Sequence, residues 1–405
     1  MAKTLAVRYD DVVEAREVLR GAIRETPLLR SRALSDLMSG PVLLKCENLQ
    51  RTGSFKVRGA YLRISRLSEA ERASGVVAAS AGNHAQGVAL AAQMLGTRAT
   101  VVMPEGAPLP KVVATRSHGA EVILYGAAVE DALAMARKLA AERGSVFIHP
   151  FEHPHVIAGQ GTAGLEIAEQ CPQVRTVAVP VGGGGLAAGV AVAIKGACPG
   201  ARVVGVQAEA AAPFPVSLAA GHPVTVGCGP TMADGIAVAR PGDLTFEVIS
   251  GVLDQVVTVS EESLARALLL CLERSKLLVE PAGAAGVAAL LEHPAVFEPP
   301  VVAILSGGNI DPLLLAKVLR HGLSAAGRYL AFKCRLPDRP GALASLLAEL
   351  ASLGANVLDV VHEREMAGLR VDEAEVMLQV ETRGPEHCDG VISKLREAGY
   401  VLLFN

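Results

Sequence analysis

Thr176-Val177-Ala178-Val179-Pro180-Val181-Gly182-Gly183-Gly184-Gly185-Leu186 is an uncharged β-rich run that ends in four glycines and opens into an Ala/Val/Leu stretch reaching about Ala197. A short apolar run halted by glycine and followed directly by a helical pattern is the strand–turn–helix junction of a parallel sheet. Four glycines expose successive backbone N–H groups at a helix amino terminus, which makes a nest for a phosphate. The alternative is a merely flexible turn. No Gly-Lys-Ser/Thr follows and no Gly-x-Gly-x-x-Gly frame fits, so neither a nucleotide triphosphate nor a dinucleotide is indicated. A dianionic phosphate held by backbone N–H groups suits a bound cofactor better.

The same region belongs to one of two long charge-free stretches, 176–194 and 210–233, which raise the question of a membrane. Both fail as spans. A spanning helix needs about 20 apolar residues with few breakers, and the first stretch holds Pro180 and the tetraglycine, the second Pro213, Pro215, Pro223 and Pro230. In 405 residues, 51% hydrophobic side chains with 3% aromatics and no Trp describe a layered α/β enzyme of two or three domains. Thirty-eight basic against 41 acidic residues, a net charge of −3 and no basic block argue against nucleic acid and for a small charged metabolite. Met1 to Asp10 has no apolar run with a small-residue cleavage site, so a cytoplasmic protein is expected. Seven scattered cysteines lack paired spacings, which predicts reduced thiols and no metal site.

Working outward, 76–79, 99–103, 121–125, 176–181, 203–207 and 301–305 read as buried strands, alternating with helices such as 129–143 and 261–273. In open α/β sheets, ligands sit beyond the carboxyl ends of the strands. Ser54-Phe55-Lys56 places a lysine in the first turn of a helix that Ser54 can cap. The positive field there, with apolar neighbours, disfavours the charged amine and leaves a nucleophile able to form a Schiff base; an ordinary surface lysine is the alternative. Ser80-Ala81-Gly82-Asn83-His84 follows the first strand and opens a helix. Its N–H groups can hold a carboxylate, Asn83 can donate to a phenolate, and His84 reads as a supporting residue rather than a base. Ser306-Gly307-Gly308-Asn309 offers a neutral hydroxyl at another strand end. An amine, a carboxylate nest, a phosphate nest and a neutral hydroxyl are the set that pyridoxal phosphate needs.

A boundary is expected near 321–330, where His321-Gly322-Leu323-Ser324-Ala325-Ala326-Gly327 breaks the helical pattern. Residues 331–405 carry 8 basic and 12 acidic residues, against 30 and 29 before them, so composition shifts there too. The tail reads as strand 329–336, helix 341–353, strands 356–362 and 374–381, helix 385–398 and strand 400–404, a ferredoxin-like βαββαβ order. It holds no chemical constellation, which suggests a binding or assembly module.

With these motifs, residues 10–320 resemble the fold type II pyridoxal-phosphate enzymes, and within them the threonine dehydratases (threonine ammonia-lyases). The likeness runs through Glu47-Asn48-Leu49-Gln50, Gly53-Ser54-Phe55-Lys56-Val57-Arg58-Gly59-Ala60, Ser80 to Gly87, the tetraglycine, Ala233-Asp234-Gly235-Ile236-Ala237-Val238, Glu280-Pro281-Ala282-Gly283-Ala284 and Ser306 to Asn309. It implies a tryptophan-synthase-β-like catalytic domain over 1–325, made of two open α/β subdomains, the smaller (about 50–150) inserted in the larger. The tail, 329–405, with Asp338-Arg339-Pro340-Gly341-Ala342-Leu343 at its first turn, resembles an ACT regulatory domain.

The resemblance further implies that Lys56 forms the Schiff base and removes the α-proton, and that Asn83 meets the phenolic oxygen. Gly182, Gly183, Gly184, Gly185 and Leu186 would hold the phosphate, Ser306 the pyridine nitrogen, and Ser80 to His84 the substrate carboxylate. Phe55, Gly235 and Glu280 are supporting positions. A neutral hydroxyl at the ring nitrogen keeps the ring a modest electron sink, suited to elimination. The implied reaction takes L-threonine to 2-oxobutanoate and ammonia, with L-serine as a side substrate, at the entry to isoleucine synthesis. Serine dehydratase, catabolic threonine dehydratase and serine racemase are the alternatives. Racemases of this fold carry a serine where Ala81 stands and metal carboxylates where Gln207 and Pro213 stand, and cysteine synthases have Thr at His84. An isoleucine or valine effector at the tail and a homotetramer or dimer complete the expectations.

Overall fold

The computed structural model describes residues 5–365 and 369–404, so part of the Met1 to Asp10 segment lies outside the described residues. The chain divides into two compact units, Met1–Leu315 and Ala316–Asn405. The helix Pro312–Ala325 runs through the division, past the point where the sequence pattern suggested a break.

In the first unit, β1 (Leu28–Arg30) and β2 (Val42–Lys45) start one sheet, and the chain then leaves it to build another. That second sheet consists of β3 (Val76–Ala79), β4 (Ala99–Met103), β5 (Glu121–Leu124) and β6 (Val146–Phe147), ordered β5-β4-β3-β6 and parallel throughout. The chain returns with β7 (Thr176–Pro180), β8 (Arg202–Ala208), β9 (Gln255–Val259) and β10 (Val301–Ile304). The larger sheet is ordered β1-β2-β10-β7-β8-β9, with only β1 antiparallel to its neighbour. This is the α/β architecture expected from the strand–glycine–helix junctions.

Small residues decide how the layers close. A Cβ on Gly159 would lie 2.7 Å from the Cα of Gly59, and one on Gly164 would lie 2.8 Å from the Ala193 Cβ. The helices Lys56–Ser65, Pro154–Gln170 and Gly185–Ala197 therefore touch backbone to backbone, over a core of Val, Ile, Leu and Ala. The alanine-rich composition is thus a packing requirement. No helix among the described residues is long and apolar enough to cross a membrane, and all seven cysteines are free.

The second unit contains β11 (Tyr329–Pro337), β12 (Asn356–Glu363), β13 (Glu373–Glu381) and β14 (Leu402–Leu403), ordered β12-β13-β11-β14 and antiparallel. Helices Ala342–Ser352 and Pro385–Glu397 complete the βαββαβ order. Alternation along β11 buries Leu330, Phe332, Cys334 and Leu336 against the helices.

Two local expectations are corrected. The helix expected over 261–273 ends at Leu270 and passes into a π-turn, Cys271–Ser275, closed by Lys276 at φ 59°. Ser54 does not cap the lysine-bearing helix. Phe55 is its N-cap, already in the right-handed helical region, while Ser54 is drawn into a bridge with Gly307 and its buried hydroxyl has no partner among the described residues.

Candidate active site

Lys56 is the first residue of its helix. Its Nζ donates to the Pro150 carbonyl at 3.2 Å and lies 5.1 Å from the centre of the Phe55 ring. The residue keeps some accessible surface, but protein packed around the ammonium disfavours charge, an effect that Glu280 only partly offsets. Its pKa falls to about 8. Burial therefore supplies the activation that the sequence pattern had assigned partly to a capped helix end.

Pro150 leads directly to Phe151, which lines the tetraglycine. A Cβ on Gly183 would collide with the Phe151 ring, and one on Gly185 would lie 2.9 Å from its Cβ. Gly184 has φ +99°, a conformation costly for any other residue, and a side chain there would also meet Ile249, Phe214 and Thr245 at 2.9 Å. Thr245 Oγ1 donates to the Gly183 carbonyl at 2.6 Å and fixes the turn. Gly184 caps the helix Gly185–Ala197, so the amides of Gly185 and Leu186 open its first turn without intrahelical acceptors. Gln207 braces the turn from beneath, donating to Val181 O at 3.1 Å and accepting from Phe214 N at 3.0 Å.

On the other sheet, β3 ends at the half-buried turn Ser80 to Asn83. Gly82 N donates to Ser80 Oγ at 3.0 Å, and the helix Asn83–Met94 begins at once. His84 is buried, with Nε2 2.9 Å from the Ile148 carbonyl. A carbonyl only accepts, so Nε2 carries the proton. Burial, reinforced by the nearby Lys56 charge, pushes the imidazole pKa down to about 3, and the ring is a neutral structural group.

Asn83 joins the two sheets. Its Nδ2 donates to Glu280 Oε1 at 2.6 Å, and its Oδ1 accepts from Asn309 Nδ2 at 2.8 Å. Ser306, just beyond β10, accepts at its carbonyl from Phe55 N at 3.2 Å, which ties it to the lysine-bearing helix. Glu280 N donates to Gly307 O at 3.0 Å. A Cβ on Gly235 would stand 3.0 Å from Ala282 and 3.9 Å from Glu280 Oε1, while one on Gly182 would stand 3.1 Å from the Ile236 Cα. The expected segments thus meet in one ring of contacts. Glu280 is more central to it than its motif suggested: burial, helped by the Asp234 charge, raises its pKa to about 7.

The sequence placed Asn309 in a strand-end motif without a role for it, and did not single out Phe151 or Thr245. Among the described residues no group of His, Cys, Asp and Glu is arranged to hold a metal.

A family model described as pyridoxal-phosphate dependent enzyme matches residues 19–307. The L-threonine ammonia-lyase of Thermotoga maritima is 48% identical over 394 residues, covering 97% of this chain and 98% of its own length. The catabolic L-threonine dehydratase of Escherichia coli is 46% identical over 310 residues, covering 76% of this chain and 94% of its own. Among solved structures, the threonine deaminase isoform 2 of Solanum lycopersicum, in its processed form, is 39% identical with a TM-score of 0.73, covering 77% of this chain and 86% of that one.

Proposed function

The chain belongs to the pyridoxal-phosphate dependent enzymes, and on that premise we propose that it deaminates L-threonine to 2-oxobutanoate and ammonia, with Lys56 as its reactive amine. The observation that carries this reading is the partly buried Lys56 amine, held at Pro150 O with a pKa of about 8 in a chain nearly half identical to an L-threonine ammonia-lyase.

The residues present fit the cofactor. Side chains at Gly183, Gly184 or Gly185 would collide with Phe151, Ile249, Phe214 or Thr245, and Gly184 also needs its positive φ, so glycine alone lets the turn pack this closely and present its N–H groups to a phosphate. Gly182 to Gly185 and the Leu186 amide would hold that phosphate, Asn83 the phenolic oxygen, and the uncharged Ser306 hydroxyl the ring nitrogen. Asn83 Nδ2 has a second hydrogen beyond the one given to Glu280. When bound, the cofactor supplies an electron-withdrawing ring that makes a substrate α-proton removable.

The rest falls to the chain itself. Backbone amides from Ser80 to His84 would hold the substrate carboxylate at the start of the helix Asn83–Met94. Lys56 Nζ, substantially neutral at pH 8, would take the α-proton. L-Serine follows as a side substrate, because one methyl discriminates by only about 1–3 kcal/mol. Racemization is disfavoured: Ala81 has no proton to give, and the Gln207 amide is used as a brace.

The test is the visible spectrum of the purified protein, then threonine addition. Wild type should show a cofactor band and release 2-oxobutanoate, and Lys56→Ala should lose about 10^4-fold in rate. Undiminished activity in Lys56→Ala overturns the mechanism.

For the second unit we propose an amino-acid sensor of ACT type. A cleft of about 340 Å³ lies between Leu336 to Ala344 and His362 and Arg364, large enough for an amino acid. Asp338 and Arg364 pair across it at 3.1 Å, an acceptor and a donor suited to an ammonium and a carboxylate. Isoleucine or valine is the effector we propose, with a biosynthetic role, and the catabolic role is the alternative. Rates in the full chain with and without each amino acid test it, and identical curves would sink it.

A further inference from the structure

Glu280 has no part in the chemistry above, yet it lies where the site segments converge. It is 5% exposed and forms the N-cap position of the helix Pro281–Glu292. Its carboxylate grips Asn83 Nδ2 at 2.6 Å while Asn309 donates to Asn83 Oδ1 at 2.8 Å. The Asn83 amide is thus strung between a donor and a carboxylate, in a chain of hydrogen bonds that all point toward Glu280. Gly307 lets the pair approach, since a Cβ there would collide with Glu280 Oε1 and lie 3.0 Å from Asn83 Nδ2.

We propose that Glu280 is a positioning residue that acts through Asn83: its charge orients the amide and sets how strongly the second Nδ2 hydrogen is offered to the cofactor's phenolic oxygen. The inference rests on the cofactor reading above. Donating one hydrogen to a carboxylate feeds electron density into the amide and weakens its other N–H as a donor; donating to a neutral acid does so less. The two protonation states of Glu280 therefore present different donors at the same place.

The charged groups facing Glu280 put the change of state within the working range. Burial and Asp234, on the turn Asp234–Ile236, disfavour its charge; Lys111, on the helix Leu109–Ser117, and Lys56 favour it without hydrogen-bonding to it. The balance falls near 7. His84, on the Asn83 helix, titrates near 3 and stays neutral throughout.

The experiment is the visible absorption of the holoenzyme across neutral pH, for wild type, Glu280→Gln and Asp234→Asn, with kcat and KM profiles alongside. Wild type should show a step in its bands with a midpoint near pH 7. Glu280→Gln should keep the cofactor and lose the step, together with the matching limb of kcat, while KM moves less. Asp234 is exposed and pairs with Lys111 at 3.2 Å. Removing its charge should move the midpoint down by about half to one pH unit. A Glu280→Gln holoenzyme with the wild-type step, or an unmoved midpoint in Asp234→Asn, overturns the proposal. A wild-type protein without any visible band would instead overturn the cofactor reading.

Discussion

Two buried sets of charge adjoin the helix Lys56–Ser65, and they are built on opposite plans. Around Arg58, every charge has a counter-charge. Its guanidinium donates to Glu47 through two bonds of 2.7 Å and to Glu166 at 2.6 and 3.0 Å, with Thr162 Oγ1 at 3.1 Å. Lys45 completes the set, donating to Glu166 at 2.6 Å, to Thr26 O at 2.7 Å and to Gln170 at 2.9 Å. Two residues away, Lys56 donates to a neutral carbonyl and Glu280 accepts from a neutral amide. In the first set burial opposes every charge; at Glu166 pairing wins and holds the carboxyl below the usual range, while at Lys45 the carboxylates offset burial only in part. In the second, burial wins and brings a lysine down to about 8 and a carboxyl up to about 7. Compensation fixes protonation states and makes structure; withheld compensation leaves groups that gain or lose protons near neutrality, as acid–base chemistry requires.

The sharpest way to break this distinction is Arg58→Met. Two carboxylates would remain buried with only Lys45 to answer them. Removing one partner of a buried ion pair costs about 3–5 kcal/mol, so denaturant unfolding should show a loss of that size. A loss below about 1 kcal/mol would mean that the cluster is not the compensated set its geometry describes.

Lys56 gives the next largest effect. At pH 7 an amine with a pKa near 8 is about one-tenth neutral, against about one part in 2,500 for an ordinary lysine. Neutral amine is the nucleophile, so uptake of pyridoxal phosphate by protein stripped of cofactor should rise about tenfold per pH unit below 8 and level off above it. A rate that climbs steadily through pH 10 would put Lys56 with ordinary lysines.

Glu280 affects stability through its pH dependence. Its folded pKa, near 7, lies above the unfolded value near 4.5, so the folded state binds more protons between the two. The stabilisation is complete below pH 4.5 and is lost as pH rises through 7. Relative to wild type, Glu280→Gln should therefore gain stability across that window, by up to about 3 kcal/mol. A difference that does not change with pH would remove Glu280 from the uncompensated class.

How much of this the sequence disclosed follows from how local each signal is. The junctions after β3, β7 and β10 were legible because a β-branched run stopped by Gly or Ser is a contiguous pattern. β2 was not singled out; it is short and ends in Lys45, which reads as a solvent-facing charge but is fully buried against Glu166. Ser54 has the chemistry of a cap, yet the Gly307 bridge takes its backbone elsewhere, an interaction with a residue far along the chain. The pairing of Asn83 with Glu280 joins positions 197 residues apart, and nothing near either one announces it. Residue types named the chemistry; only the fold could show which charges would be paired.

Lys45→Met sharpens the comparison from within the compensated set, with the smallest effect. Burial already opposes the Lys45 charge, and Glu166 and Glu47 only partly offset that. Without Lys45, Glu166 Oε2 still accepts from Arg58 at 3.0 Å and Oε1 at 2.6 Å, so no carboxylate is abandoned. Met fills a similar volume and needs no partner, which leaves mainly the Thr26 carbonyl and Gln170 amide to lose a donor; Gln170 Nε2 already donates to that carbonyl at 3.1 Å. The cost should be about 1 kcal/mol, well under that of Arg58→Met, in the same unfolding assay. Equal costs would show that the four charges act as one indivisible unit rather than a set ordered around Arg58.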